Sequence, residues 1–148
     1  GRKVVLALAG DHAPSFVDHV ADKTRTEGND LQILERSTPF FIWANYPLEN
    51  INAATSTADS LNRMDMVMLA PTIAQQAGLP LTGYYKYLLA MKQQTPVVTA
   101  ANDYMKVDGT TGTYGEDESL DAWVKGYLAL EYNNIGAHAK RVQSIFGQ

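Results

Sequence analysis

The first strong feature of the sequence is an apolar run near its start. Val4 to Ala9 contains no polar position and is followed by Gly10. Such a run is typical of a short strand buried on both faces of a parallel sheet, and a glycine often marks where the strand ends. We therefore predict a buried strand at Lys3–Ala9.

A second apolar run lies within Thr38–Tyr46, which has the sequence TPFFIWANY. Pro39 can begin a strand but cannot lie inside one, and the aromatic and β-branched residues after it favour a strand. The pattern predicts a second buried strand at Pro39–Ala44. Because large aromatic side chains dominate core burial, we expect Trp43 to pack in the core rather than to stack on a substrate.

Helical periodicity marks three later segments. Apolar residues three and four positions apart predict helices at Met64–Ala77, Gly83–Gln93 and Leu120–Asn133. Pro71 interrupts the first pattern, so we expect either a kink or a helix start closer to this proline. Gly78 suits the left-handed position that follows a helix.

The other segments are less regular. Thr82 and Ser119 are expected to cap the second and third helices. We predict a short helix within Phe16–Arg36 and a short strand at Pro96–Val98. Ala100–Glu118 is acidic and rich in glycine and threonine but lacks the ligand spacing of a calcium loop, so we expect a solvated loop. Together these elements indicate an α/β fold.

Composition limits the classes of function. The chain has 148 residues, 45% of them hydrophobic, which is enough for one domain and too few for two ordinary ones. Twelve Lys and Arg against 16 Asp and Glu give a formal net charge of −4 without a basic stripe, so nucleic acid is not an expected partner. The absence of cysteine excludes disulfides, zinc-thiolate sites and thiol nucleophiles.

No apolar run approaches the roughly 20 residues that cross a bilayer, and the first residues lack the layout of a signal peptide. We expect a cytosolic protein or an excised part of a longer one, and the abrupt start before a core strand favours excision. A strand apolar on both faces needs strands and helices around it. The isolated chain is therefore expected to self-associate, to swap an element or to occur with the rest of its domain.

Asp11 and His12, directly after Gly10, are candidate metal ligands. In a strand their side chains would point to opposite faces, so both can reach one ion only if the backbone bends there. Gly10 makes that bend easy, and Pro14 prevents the strand from resuming. Taken alone, such a dipeptide more often forms a turn with a capping Asp. His19 lacks neighbours at ligand spacing and is expected to be a surface residue.

The order apolar strand, Gly, Asp, His, small residue, Pro resembles the GDHxP motif of the lipoteichoic acid synthase and phosphoglycerol transferase branch of the alkaline phosphatase/sulfatase superfamily. In that family the Asp and His of the motif bind the catalytic divalent metal, and they correspond here to Asp11 and His12. His138 matches no family ligand. Three more segments are similar to family segments and follow the family order: TPFFIWANY at Thr38–Tyr46, AGLPLTGYYKYLLAMKQQTPVV at Ala77–Val98 and LEYNNIG at Leu130–Gly136.

The resemblance implies that residues 1–148 are the C-terminal portion of an alkaline phosphatase-like (sulfatase-like) α/β domain, with buried strands and flanking helices. It implies a metal-dependent transfer in which a Thr nucleophile attacks a phosphodiester or sulfate ester. Manganese or magnesium is expected rather than zinc, because the ligands are hard and include no thiolate. Family members are usually anchored by transmembrane helices, which implies a catalytic domain at the extracellular face of the cell membrane.

The chain also departs from the family. There the Thr nucleophile, a Glu ligand and the substrate-binding residues lie upstream of the GDH motif, so no residue here matches the nucleophile. The implied partners are the remainder of the catalytic domain and a phosphoglycerol- or sulfate-ester-type substrate. Two alternatives stay open. One is a sulfatase or phosphodiesterase of the same superfamily, and the other is a metal-independent binding module that uses exposed tyrosines and the acidic loop.

Overall fold

The two predicted apolar strands pair with each other. In the computed structural model, which describes residues 1–13, 27–48, 63–101, 103–136 and 140–147, strand β1 (Val5–Ala9) runs antiparallel to β2 (Phe40–Ala44). Helix α1 (Gly28–Glu35) lies between them in sequence and confirms the short helix expected there. Pro14, His19 and His138 lie outside the described residues.

The remaining described elements form a helical layer and a second sheet. In chain order they are a 3₁₀ turn (Met66–Met68), α2 (Leu69–Gln76), α3 (Gly83–Lys92), β3 (Val97–Val98), β4 (Asp103–Met105), β5 (Thr111–Thr113), α4 (Glu118–Ile135) and α5 (Gln143–Phe146). The described part of the chain thus forms a mixed α/β fold with two small antiparallel sheets.

The positions of β1 and β2 were predicted correctly. The prediction that they belong to a parallel sheet buried on both faces is wrong. Leu6 lies opposite Trp43, and Leu8 lies opposite Phe41. These four side chains share one face of the sheet and remain 47–54% exposed. The prediction that Trp43 packs in the core is also wrong, because its face of the sheet is not covered by any described element.

Helix α2 shows how local sequence sets helix limits. Pro71 occupies the third position of the α-helix, where its missing N–H is not needed. Of the two outcomes that we expected from this proline, a kink or a later helix start, the structure shows the later start, at Leu69 instead of Met64. Gly78 has a φ of 67°, and Leu79 N–H donates to Ala74 C=O at 2.9 Å, which closes the helix end.

The core is formed where α3 and α4 pack on the 3₁₀ turn. Thr82 caps α3 as predicted, since its hydroxyl accepts a hydrogen bond from Tyr85 N–H at 3.1 Å. The Tyr87 hydroxyl donates to the Trp123 carbonyl oxygen at 2.7 Å and ties α3 to α4. The buried side chains at this contact are Met68, Leu88, Met91, Val124 and Tyr127.

The second sheet corrects the expectation of a solvated loop at Ala100–Glu118. Strand β4 pairs with β3 on one side and β5 on the other, and its residues are buried. The Thr95 hydroxyl, itself buried, donates to the Met105 carbonyl oxygen at 2.9 Å. Three-residue strands are too short to show an alternating pattern, which explains the error.

Asp117, rather than the predicted Ser119, caps α4. Its carboxylate accepts hydrogen bonds from the backbone N–H groups of Ser119 and Leu120 at 3.1 and 3.3 Å. The same carboxylate forms an ion pair of 2.8 Å with Lys106.

Within the described residues, no helix is both long and apolar enough to cross a membrane.

The Asp117 cap predicts a pH effect on stability. Hydrogen bonds from Lys106 and Ser119 lower the pKa of Asp117, so its stabilisation is fully present above the ordinary carboxyl pKa of about 3.9 and is lost as the pH falls below it. Asp117→Asn keeps a capping side chain but removes the charge. We expect a lower urea midpoint at pH 7 and a smaller loss of stability on acidification. Glu118→Gln, one position along, is the control, and equal effects of both changes would contradict this account.

Candidate functional site

Gly10 fixes the turn that carries the candidate ligands. Its N–H donates to the Pro39 carbonyl oxygen at 3.0 Å, and its carbonyl oxygen accepts from the Thr38 hydroxyl at 3.0 Å. A Cβ atom at this position would lie 3.0 Å from Thr38 Cβ, closer than ordinary contacts allow. The segment Gly10–His12 is thus held against the start of β2.

The backbone bends after β1 and brings the Asp11 and His12 side chains together. His12 Nε2 lies 3.7 Å from Asp11 Oδ1. Metal–ligand distances of about 2.0–2.2 Å allow donor atoms up to roughly 4 Å apart to share one ion. The expected convergence is therefore present, while metal binding itself stays a prediction.

Hydrogen bonds orient both candidate ligands. Asp11 Oδ1 accepts from the His12 backbone N–H at 3.0 Å, and His12 Nδ1 lies 3.1 Å from the Ala13 carbonyl oxygen. In the tautomer whose Nδ1–H donates to the Ala13 carbonyl oxygen, Nε2 carries a lone pair that can bind a metal ion next to Asp11. The two side chains are 90% and 79% exposed for Asp11 and His12, so an ion could reach them from solvent.

Asp11 and His12 lie on the wall of a cleft of about 570 Å³, a volume typical of ligand sites. Its walls come from the end of β1, the connection from α1 to β2, the residues before and within the 3₁₀ turn, and the end of β3. The polar side chains on these walls are Asp11, His12, Arg36, Ser37, Thr38, Arg63, Asp65 and Thr99.

Asp65 is a cleft residue that sequence reasoning missed. Burial raises its pKa, although hydrogen bonds from backbone groups such as Val67 N–H partly oppose the shift. Its own N–H donates to the Pro96 carbonyl oxygen at 2.7 Å. An Asp just before an apolar helical pattern is a capping signal, so the sequence could have placed Asp65 at a helix start but not on a cleft.

Within the described residues, no group of three or more His, Cys, Asp or Glu side chains is placed to hold a metal ion. Asp11 and His12 are therefore a ligand pair and not a complete site. Comparison with protein families, with curated proteins and with solved structures finds no match to this chain.

The incomplete ligand set predicts weak metal binding by the 148-residue chain. Two ligands cannot close the coordination sphere of Mn²⁺ or Mg²⁺, so we expect a dissociation constant no tighter than about 0.1–1 mM, the range of weak cation modules. Calorimetric titration with both metals measures it, with the Asp11→Ala chain as control. Micromolar binding that survives Asp11→Ala would mean that other residues hold the ion.

Proposed function

We propose that this chain is the C-terminal segment of the catalytic domain of a metal-dependent, sulfatase-like phosphoglycerol transferase similar to lipoteichoic acid synthase. In this proposal Asp11 and His12 are ligands of a catalytic Mn²⁺ or Mg²⁺. The observation that carries it is the convergence of these two side chains at the carboxyl end of β1, on the wall of a ligand-sized cleft.

The chemistry of the two side chains supports this assignment. The Asp11 carboxylate supplies a hard, negatively charged oxygen, and His12 supplies a neutral nitrogen whose orientation is set by the Ala13 carbonyl oxygen. When bound, such an ion lowers the pKa of the attacking hydroxyl and neutralises charge on the attacked group. That hydroxyl, a Thr in the family, would come from residues outside this chain.

The spatial arrangement of the other family-like segments also supports the proposal. The TPFFIWANY segment provides β2, which pairs along the whole of β1. The Ala77–Val98 segment provides α3 and β3, and Val97 and Val98 at its end lie on the wall of the same cleft as Asp11. Segments far apart in sequence thus line the cleft that holds Asp11 and His12.

The exposed face of the β1–β2 sheet supports a partner surface. Leu6, Leu8, Phe41 and Trp43 are each about half exposed on this face, and apolar patches of this kind commonly mark interaction sites. We propose that the remainder of the catalytic domain covers this face in the full-length enzyme. In the isolated chain, a second copy of the chain would cover it instead. The family resemblance further implies that the full-length enzyme is located at the extracellular face of the cell membrane.

Two alternatives predict different behaviour. A sulfatase or phosphodiesterase of the same superfamily would use the same metal pair but transfer its substrate group to water. A non-catalytic binding module would use exposed tyrosines such as Tyr114 and Tyr132, which are 43% and 67% exposed, and would not depend on a divalent metal. Analysis of the reaction products separates a hydrolase, which transfers the group to water, from a transferase. Chelation of divalent metal would abolish the activity of either enzyme but would leave a binding module unaffected.

The test uses the full-length reading frame that contains this chain. Asp11→Ala and His12→Ala each remove a metal ligand, so each should lower turnover by more than the roughly 10–100-fold that loss of an outer-shell partner causes. Asp30→Ala, an exposed carboxylate in the first turn of α1, is the control and should leave turnover unchanged. Mn²⁺ content and phosphodiester turnover are measured together. Full activity of Asp11→Ala would end the catalytic interpretation of the motif.

A further inference from the structure

The second half of α4 carries a row of exposed apolar side chains. Leu128, Tyr132 and Ile135 lie four and three positions apart, so they project from one side of the helix. They are 47%, 67% and 72% exposed. The contacts of α4 with the core lie earlier in the helix, at Val124 and Tyr127. The end of α4 therefore presents an apolar surface to solvent.

Three basic residues flank this row. Lys125 lies about one turn before Leu128 on α4, and Lys140 and Arg141 follow the helix. We propose that the apolar row and these three cations, together called the α4 face, dock on the surface of an anionic lipid bilayer. The apolar side chains would enter the boundary between headgroups and acyl chains, and the cations would contact lipid phosphates.

Hydrogen bonds hold Lys140 and Arg141 next to the end of α4. The Asn133 side-chain amide donates to the Lys140 carbonyl oxygen at 2.9 Å, and the Asn133 side-chain oxygen accepts from Val142 N–H at 3.2 Å. The Arg141 guanidinium lies 5.2 Å from the centre of the Phe146 ring. These contacts place the basic residues after the helix beside the helix that carries the apolar row.

The positive charges of the α4 face are not compensated within the described residues. Lys125, Lys140 and Arg141 are exposed, and the ion pairs in the described part of the chain join other groups. The acidic residue nearest in sequence to the apolar row is Glu131. It accepts a hydrogen bond from the hydroxyl of the buried Tyr127 at 3.1 Å, so its carboxylate is engaged on the core side of α4.

The charge of this end of the chain differs from that of the whole. From Lys125 to Gln148 the sequence has three basic residues and one acidic residue, whereas the 148 residues together have a formal net charge of −4. Asp121, one turn before Lys125, accepts the Gly115 N–H at 2.9 Å and lies at the other end of α4 from Ile135. An anionic surface is attracted to the basic end and repelled by the acidic remainder, so it would meet the α4 face first.

A second copy of the chain is a poorer match for the α4 face. A two-fold contact brings the same surface of both copies together, so the three cations of one copy would oppose those of the other. An anionic bilayer supplies the opposite charge and an apolar layer at once. Tyr132 suits this boundary, because its ring is apolar and its hydroxyl is polar. Lipid therefore complements both the apolar and the charged parts of the α4 face.

This inference goes beyond the proposed function and does not depend on it. Docking of the α4 face requires neither a bound metal ion nor residues outside this chain. Lipid binding measured in EDTA therefore tests the α4 face alone.

The test is flotation of the 148-residue chain with lipid vesicles in EDTA. One set of vesicles is pure phosphatidylcholine, and the other contains about 30 mol% phosphatidylglycerol, which supplies a negative surface charge. We expect binding to the anionic vesicles at low salt to be at least about ten-fold tighter than binding to the neutral ones. This preference should decrease as salt screens the charges.

Substitutions on the α4 face separate its apolar part from its charged part. Tyr132→Ser and Ile135→Ser each remove apolar area and should weaken binding to the anionic vesicles by about ten-fold. Lys125→Gln removes one cation near the bilayer and should weaken binding by about five-fold. Because all three side chains are exposed, circular dichroism should show the same fold in each variant.

The matched controls lie elsewhere in the chain. Leu79→Ser changes an apolar side chain that is 57% exposed and follows α2. Lys3→Gln changes an exposed lysine that precedes β1. Neither residue belongs to α4 or to the segment after it, so neither change should alter vesicle binding.

No binding to the anionic vesicles, equal binding to both kinds of vesicle, or equal losses in the α4 variants and the controls would each overturn the inference. Binding that depends on Phe41, on the uncovered face of the β1–β2 sheet, and not on Ile135 would overturn it too, because the sheet would then contact the lipid. A dimer in sedimentation that Ile135→Ser dissociates, without vesicle binding, would show that a second copy covers the α4 face instead.

Discussion

The pairing of β1 with β2 is the interaction on which the candidate site depends. Its register runs from Val5 opposite Ala44 to Ala9 opposite Phe40, and the Gly10 N–H bond to Pro39 continues it by one residue. The Thr38 hydroxyl then holds the Gly10 carbonyl oxygen. Because the chain is fixed up to this point, the next two residues leave the sheet together, and their side chains converge instead of alternating.

The same pairing leaves an apolar face without a cover in the described structure. Fully burying a Leu or Phe side chain stabilises a protein by about 1.5–3 kcal/mol, and Leu8 and Phe41 realise only part of this because they are about half exposed. A partner surface on this face would recover the rest. The incomplete ligand pair and the uncovered sheet face are thus two consistent features of a chain that we assign to a larger domain.

Features set by local chemistry could be predicted from the sequence. The limits of α2 follow from Pro71 and Gly78, and the start of α3 follows from Thr82, because each acts on its own turn of backbone. Strand direction and burial could not be predicted, since an apolar run has the same sequence in a parallel and an antiparallel sheet. The composition of the cleft wall could not be predicted for a similar reason. Arg36 and Arg63 are 27 positions apart in sequence, and only the fold brings them to one wall.

Pulsed electron paramagnetic resonance of the Mn²⁺-loaded full-length protein can show whether His12 is a ligand of the metal ion that we assign to Asp11 and His12. The nitrogen of a bound imidazole modulates the electron spin echo of Mn²⁺, whereas a distant histidine does not. We expect a nitrogen coupling in the wild type that disappears in His12→Gln and persists in a His138→Gln control. An identical nitrogen coupling in the wild type and His12→Gln would contradict it.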